Sequence, residues 1–444
     1  MNKWNSKWLV IKSSCFTVFG QTTLKHYLIA MAVTMFSCAS LAEQKIEHYD
    51  IDVTVDNKIK LLSIKAKIRL NKAETGKLSV LLHPRVQNLK VIVNDKAVDF
   101  KFNVNAAKKP NMYFDGQLLT VDEQYLITSN TVMLIYELPI VEVNYWRKDN
   151  LPSGFNLSNG FELGIYSSWL PFTMKTGNFS FELTIVVPQN YRVLGNGDIK
   201  QTALQKWHIS STNEQFDIPL IVSKSLQTNL INYQNLRVEV NHFGLTNDKI
   251  LDLGNDIKSV LALFNAKFGT TGFKGKIQFA FVPRNKGASY SRSGFVVVAV
   301  KSEEEQFLTL AHEIAHFWWT GADTSSWHDW INESFAEYSA LIAVEKRYGP
   351  EKFVERIKSY EVASVKSKPI WESDRSDDEA TLRYYRKGPV IIEKLRLRLG
   401  KDSFYRFLSD LALEESRNTS TLLTILEKNS SKQDANWLEE LLKN

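Results

Sequence analysis

The sequence predicts an α+β protein in two parts: an N-terminal antiparallel β-saddle or sandwich, then a mainly helical domain carrying a small sheet. Two changes of texture along the 444 residues predict it. From about Glu47 to Ser225 apolar residues recur with period two, the mark of strands that bury one face. After Tyr233 they recur at helical spacing, broken by two strand-like runs. A chain of this length exceeds one ordinary core, and its 44% hydrophobic and 23% charged content is that of a folded protein.

The first forty-two residues stand apart, with Lys3, Lys7, Lys12 and Lys25 and no Asp or Glu. An apolar run from Tyr27 to Phe36 leads to the small residues Ser40 and Ala42. This is the pattern of a cleavable export signal cut near Ala42, and the run is too short to span a bilayer. An uncleaved anchor and a lipid attachment at Cys38 are the alternatives. Without the leader's lysines the net charge falls from +6 to +2, which gives no reason to expect a nucleic-acid partner. Cys15 and Cys38 leave with it, so an exported product, periplasmic or secreted, has no disulfide and no transmembrane segment. The expected division is a signal at 1–42, a β-rich domain at 43–232 and a helical domain at 233–444.

In the β-rich part Ile51, Val53 and Val55 alternate with Asp and Thr, and Leu62, Ile64, Ala66, Ile68 and Leu70 alternate with Ser, Lys and Arg. Phe179 to Val187 repeats the pattern before Pro188 ends it, and Gly195-Asn196-Gly197 marks a turn. The second part opens with Ile250, Leu253, Ile257, Val260, Leu261, Phe264 and Phe268 on one helical face, closed by Gly269. Strands are expected at Lys276 to Val282 and Phe295 to Val300. Gly349-Pro350 and Gly400 read as helix stops, and Ser302, Ser403 and Thr419 as starts.

His312-Glu313-Ile314-Ala315-His316 is the most informative stretch. Ser302 with Glu305 three residues on suggests a capping box, and no Pro or Gly occurs from Glu303 to Trp319, so the five residues should lie within a helix. Residues four apart share a helix face, so both imidazoles can reach one ion, with Glu313 set aside as a base. The bland alternative is a helix with two surface histidines. Against it stands a second helix beginning near Trp330, with sixteen residues between His316 and its Glu333. Its Glu333 can supply a third ligand and leave the fourth position of a single zinc ion open.

These residues resemble the gluzincin aminopeptidases, relatives of aminopeptidase N, in a short form without their large C-terminal helical domain. The family pattern is His-Glu-x-x-His, eighteen residues, then Glu within Trp-Leu-Asn-Glu-Gly-Phe-Ala. This chain has Trp330-Ile331-Asn332-Glu333-Ser334-Phe335-Ala336 after a gap two residues shorter. Tyr385-Arg386-Lys387-Gly388 is similar to the family's Tyr-x-Lys-Gly, whose tyrosine hydrogen-bonds the oxyanion. The resemblance implies a thermolysin-like catalytic domain, zinc as cofactor, peptides as substrates, and Glu313 and Tyr385 as catalytic groups. It also implies substrate contacts at Gly287 and Ala288. Where family exopeptidases carry Gly-x-Met-Glu-Asn, this chain has Gly287 to Gly294 without a carboxylate. The family's anchor for a free amino group is absent there, which opens cleavage of longer or blocked peptides.

Other candidates read more blandly. Glu337, one turn beyond Glu333, either orients a ligating histidine or is an exposed helical glutamate. His328 reads as loop surface and Tyr384 as core. Glu303 to Glu305 either replace the amine anchor or form a charged helix N-terminus. Two rivals are a non-catalytic peptide-binding module on the same fold and a zinc-storage protein, and no His-rich tract supports the second.

Overall fold

The computed structural model describes residues 45–56, 60–71, 76–103, 116–140, 160–173, 178–270, 276–284, 289–299, 301–414 and 417–444. The leader read at residues 1–42 lies outside them. No helix among the described residues is long and apolar enough to cross a membrane.

The alternating segments form strands as their period requires. Ile46–Asp56 runs antiparallel to Leu61–Leu70 and parallel to Phe179–Val186 at the centre of an eight-stranded sheet. The register sets Ile51 opposite Ala66 and Val53 opposite Ile64, all buried, so a one-residue slip would turn this face to water. A four-stranded sheet that includes Leu78–Leu82 and Gln117–Val121 contributes to the same core. Trp169 is fully buried there, donating its indole N–H to the Ile218 carbonyl at 3.2 Å and accepting the Tyr136 hydroxyl on its own carbonyl at 2.8 Å. Apolar rings thus enter the core without stranding their polar atoms.

Gly195-Asn196-Gly197 does not close a hairpin. It hands the chain from one sheet to another, since Arg192–Gly195 pairs with Leu220–Ser223 while Asp198–Ala203 pairs with Lys206–Gln215. Gly197 has φ +106°, and a Cβ there would strike the Ser210 carbonyl. Buried Asn196 secures the crossing by donating to Gln215 Oε1 at 2.7 Å and the Asp217 carbonyl at 3.1 Å.

The second sheet has the order Gln227–Tyr233, Leu236–His242, Lys276–Val282, Phe295–Ala299, Tyr290–Arg292. Its three inner strands are parallel and its edges antiparallel. Burial on both faces explains why Phe295–Ala299 is apolar throughout and Lys276–Val282 nearly so, the buried Gln278 donating to the Gly195 carbonyl at 3.2 Å. The helices are α1 (Asn247–Phe268), α2 (Glu303–Ala315), α3 (Trp330–Tyr348), α4 (Pro350–Ser364), α5 (Gly388–Leu399), α6 (Lys401–Ala412), α7 (Thr419–Asn429) and α8 (Lys432–Lys443). Gly269 and Gly349 end α1 and α3 at φ +88° and +98°, where glycine avoids the left-handed penalty. Gly400 likewise ends α5, but α6 starts directly after it, so Ser403 lies inside that helix. Asn418 caps α7 one residue before Thr419.

The two parts meet over a small apolar cluster in which Leu194, Ile221 and Leu226 pack on Ala280, Val282, Tyr290 and Val297. Two enclosed ion pairs flank it. Arg284 grips Glu162 with Nε and Nη2 at 3.0 and 3.2 Å, and Arg292 Nε bonds Asp217 at 2.9 Å. Asp217 also accepts the Ile165 amide at 2.8 Å, so both its oxygens are engaged. Truncating one member of such a pair leaves a charge uncompensated in low dielectric. Asp217→Ala should therefore destabilise the protein by about 3–5 kcal/mol, read as a lower denaturant midpoint at unchanged slope. A loss within ~0.5 kcal/mol, the usual range for a surface change, would show the pair to be dispensable.

Candidate active site

Helix α2 lies against the second sheet and presents His312 and Glu313 near its C-terminal end. The helix stops at Ala315, so His316 is its C-cap and not part of a longer helix through Trp319. Aromatic packing enforces the stop. Trp318 donates to the Gly269 carbonyl at 2.7 Å and Trp319 to Ser339 Oγ at 2.7 Å, which draws both indoles away from the helical path. Arg417 accepts the end in its place, donating to the carbonyls of Trp318 at 2.6 Å and of Thr320. At the other end Ser302 stands at the N-cap, but its side chain makes no capping bond. Glu304 and Glu305 pair with Arg356, and Glu303 with Arg347, so these acids form a charged helix start and not a substrate anchor.

Helix α3 packs on α2 and brings Glu333 to the two histidines. Glu333 Oε2 lies 3.3 Å from His312 Nε2 and 3.7 Å from His316 Nε2. A tetrahedral ion with bonds of about 2.0–2.1 Å sets its ligand atoms about 3.3–3.4 Å apart, so these separations are those of a zinc site. Glu333 Oε2 is enclosed and receives no hydrogen bond of proper geometry, which marks a place for a cation. Among the described residues this is the one group of three with metal-binding geometry.

Each histidine is held by its other nitrogen. His312 Nδ1 donates to Glu337 Oε2 at 2.8 Å and His316 Nδ1 to the Trp319 carbonyl at 3.0 Å, which leaves both Nε2 atoms facing the gap. Glu337 is therefore buried against His312 and not an exposed helical glutamate. The Tyr360 hydroxyl also donates to Glu337, and Arg386 lies 3.3 Å away. Burial alone would raise the Glu337 pKa, but its contact with His312 and the charge of Arg386 hold it below the ordinary value.

The local electrostatics are those of a cation site. Burial opposes a charge on His312, yet contact with Glu333 and Glu337 outweighs it and lifts the imidazole to about 10. Glu333 is driven well below the usual carboxylate range, the cost of burial being overcome by His312 and His316. Glu313 is raised, chiefly by burial, with the two imidazoles opposing. Tyr385 stacks on the His312 ring at 5.4 Å and 21°. Its hydroxyl is kept protonated by burial and then by the Glu333 carboxylate.

Tyr385 sits in a π-helical turn, Arg383–Lys387, that interrupts the run from Ala380 into α5. The wider turn releases backbone groups, and Ser334 Oγ, next to Glu333, donates to the Tyr384 carbonyl at 2.7 Å. Gly388 makes this approach possible, because a Cβ there would overlap the Ser334 hydroxyl. The ligand helix and the Tyr385 turn are thus joined side by side.

Tyr384 is buried as expected, its hydroxyl 3.3 Å from Ser373 Oγ. His328 is no ligand, but it is half-buried against Trp327, with Nδ1 3.1 Å from the Thr419 hydroxyl, and so is not loop surface. Gly287 and Ala288 lie outside the described residues. Sequence reading missed Ser334, Tyr360, Arg386, Arg292 and Arg417. Only Gly388 carried a signal, as a glycine where two backbones approach.

Two consequences are measurable. Glu337→Gln should weaken zinc affinity by about 10–100-fold in chelator competition while the fold persists, and unchanged affinity would remove Glu337 from its orienting role. Metal requires neutral imidazole, whereas metal-free His312 holds its proton up to about pH 10. Zinc uptake at pH 7 should therefore release a proton, and affinity should rise by about tenfold per pH unit until about pH 10. Calorimetry in buffers of different ionisation enthalpy reads that proton directly, and an enthalpy independent of buffer would contradict it.

Comparison with known proteins agrees with this geometry. Residues 285–441 match the Peptidase family M1 domain. Aminopeptidase M1-B of Oryza sativa subsp. japonica is 24% identical over 288 residues, covering 56% of this chain and 32% of the rice protein. Aminopeptidase M1-D of the same plant is 22% identical over 295 residues, covering 58% and 33%. The chain thus aligns with about a third of the length of these relatives. A mutant M1 zinc metallopeptidase from Deinococcus radiodurans superposes with a TM-score of 0.66 at 16% identity, covering 91% of this chain and 95% of that one. The same protein bound to a Tyr-Ser-Ala substrate gives 0.66 at 17% identity, covering 91% and 95%. A two-domain M1 zinc metallopeptidase bound to L-tryptophan gives 0.67 at 17%, covering 91% and 96%. Residues 285–441 are thus similar to the peptidase family M1 domain, and the chain shares the fold of these two-domain metallopeptidases.

Proposed function

We propose that this protein hydrolyses peptide bonds with one zinc ion held by His312, His316 and Glu333, and that it does so outside the cytoplasm. The observation that carries the reading is Glu333 Oε2 standing 3.3 and 3.7 Å from two oriented imidazole nitrogens beside the enclosed carboxyl of Glu313. Zinc in such a site polarises a carbonyl and brings the pKa of a water toward neutrality. Glu313 takes the proton of the attacking water and returns it to the leaving amine. Its burial supports that role by moving its proton affinity toward the working pH. Tyr385, kept protonated, donates to the oxygen that gains charge in the tetrahedral stage.

The names of the rice relatives and the tripeptide bound by the Deinococcus protein support action near the amino end of peptides. The carboxylate-free stretch from Gly287 to Gly294 favours a second reading, endopeptidase or dipeptide-releasing action without an amine anchor. The complete set of His312, Glu313, His316, Glu333 and Tyr385 weighs against a non-catalytic peptide-binding module. The basic, acid-free leader with its short apolar run supports export.

Glu313→Gln should lower hydrolysis of a mixed peptide pool by about a thousandfold and still bind one zinc per chain. Tyr385→Phe should lower kcat by about a hundredfold with KM little changed. Full turnover in Glu313→Gln protein would end the proposed mechanism.

A further inference from the structure

Arg417 lies buried in the connection between α6 and α7, and its side-chain hydrogen bonds among the described residues all go to backbone carbonyls. Nε and Nη2 donate to Leu411 and Ala412 at 3.1 and 2.8 Å, in the last turn of α6. Nη1 donates to Trp318 at 2.6 Å and to Thr320, in the turn that follows α2. One guanidinium thus serves the end of α6 and the exit from α2, where the partial negative charge of helix-end carbonyls favours a cation. Burial pushes its pKa down to about 10, so it keeps its charge at neutral pH.

Between the two carbonyls that Nη1 holds lies that of Trp319, which accepts His316 Nδ1–H at 3.0 Å and so aims His316 Nε2 at Glu333. His312 is held by the Glu337 carboxylate, whereas His316 is held by a backbone atom. The angle of the His316 ring is therefore only as fixed as the peptide that carries that atom. Arg417 secures this stretch from one side, its own amide also donating to the Gly321 carbonyl at 3.2 Å. From the other side Asn332, next to Glu333, accepts the Ala322 amide at 3.2 Å and donates to the Ala322 carbonyl at 3.0 Å. Two residues beyond Arg417, buried Thr419 accepts the Trp330 indole N–H at 3.0 Å, at the start of α3. Residues 417–419 thus tie the end of one ligand-bearing helix to the start of the other.

We propose that Arg417 is a positioning residue for the zinc ligand His316: it fixes the carbonyls on either side of Trp319, and so couples the packing of the C-terminal helices to metal affinity. This rests on the zinc reading of the site. Arg417 acts through the Trp319 peptide and touches neither His316 nor Glu333.

The test compares whole-chain wild type, Arg417→Met, Arg417→Lys and, as a protein destabilised away from the site, Asp217→Ala. Chelator competition gives zinc affinity. The proton spectrum of the cobalt(II) form gives a shifted, exchangeable N–H signal for each ligating imidazole, and the one that Glu337→Gln moves belongs to His312. Arg417→Met should weaken zinc by about tenfold, as lost support of a metal ligand does, and make the His316 signal exchange faster while that of His312 stays. Arg417→Lys, whose ammonium cannot span four carbonyls, should fall between wild type and Arg417→Met, and it carries the comparison if Arg417→Met does not fold. Asp217→Ala should leave both readouts as in wild type. Unchanged affinity and signals in the Arg417 variants would overturn the proposal, and so would equal changes in Asp217→Ala, the mark of a merely structural role. Wild-type protein that takes up neither ion would end the zinc reading and this inference with it, whereas tight wild-type binding that the Arg417 variants retain would end this inference alone.

Discussion

The enclosed Glu333 Oε2, set between His312 and His316 without a donor of proper geometry, is the constraint on which the rest of the site depends. A buried carboxylate oxygen needs positive charge beside it, which the His312 proton supplies in the metal-free protein and a bound cation would supply in its place. The surrounding structure holds it there. Helix α3 carries it, Ser334 ties α3 to the Tyr385 turn, and Gly388 lets the two backbones close. The imidazoles are turned toward the same point by Glu337 and by the Trp319 carbonyl. A site so preorganised loses little further freedom when an ion enters.

The aromatic run after His316 has a structural task that serves this geometry. A helix continued past His316 would carry Phe317, Trp318 and Trp319 around its axis. Instead the two indoles are drawn to Gly269 and Ser339, and the chain turns toward α3. Arg417, from just before α7, satisfies the Trp318 and Thr320 carbonyls that the turn exposes. The C-terminal helices therefore support the site from behind, and their packing belongs to the same core as α2 and α3.

The fold was legible wherever one residue's neighbours decide its state. The period-two runs, the helix closed by Gly269 and the strand Lys276–Val282 follow from burial patterns local to the chain. His312, Glu313, His316 and Glu333 were legible because metal chemistry constrains spacing, and the spacing fits two packed helices. What stayed hidden depends on partners distant in sequence. Arg292 meets Asp217 across 75 residues, and Tyr360 meets Glu337 from another helix. The end of α2 at His316 was not legible for the same reason, since its cause lies in Gly269, Ser339 and Arg417. The failed capping box at Ser302 is a smaller instance, for Glu305 is drawn away to Arg356.

X-ray absorption at the zinc edge tests the central claim most directly. Protein loaded with one equivalent of zinc should show two imidazole nitrogens and oxygen donors near about 2.0–2.1 Å in a low-coordinate shell, with no sulfur. A six-oxygen shell like that of the free ion, or an imidazole signal that survives replacement of both His312 and His316 by Ala, would show that the ion is held elsewhere.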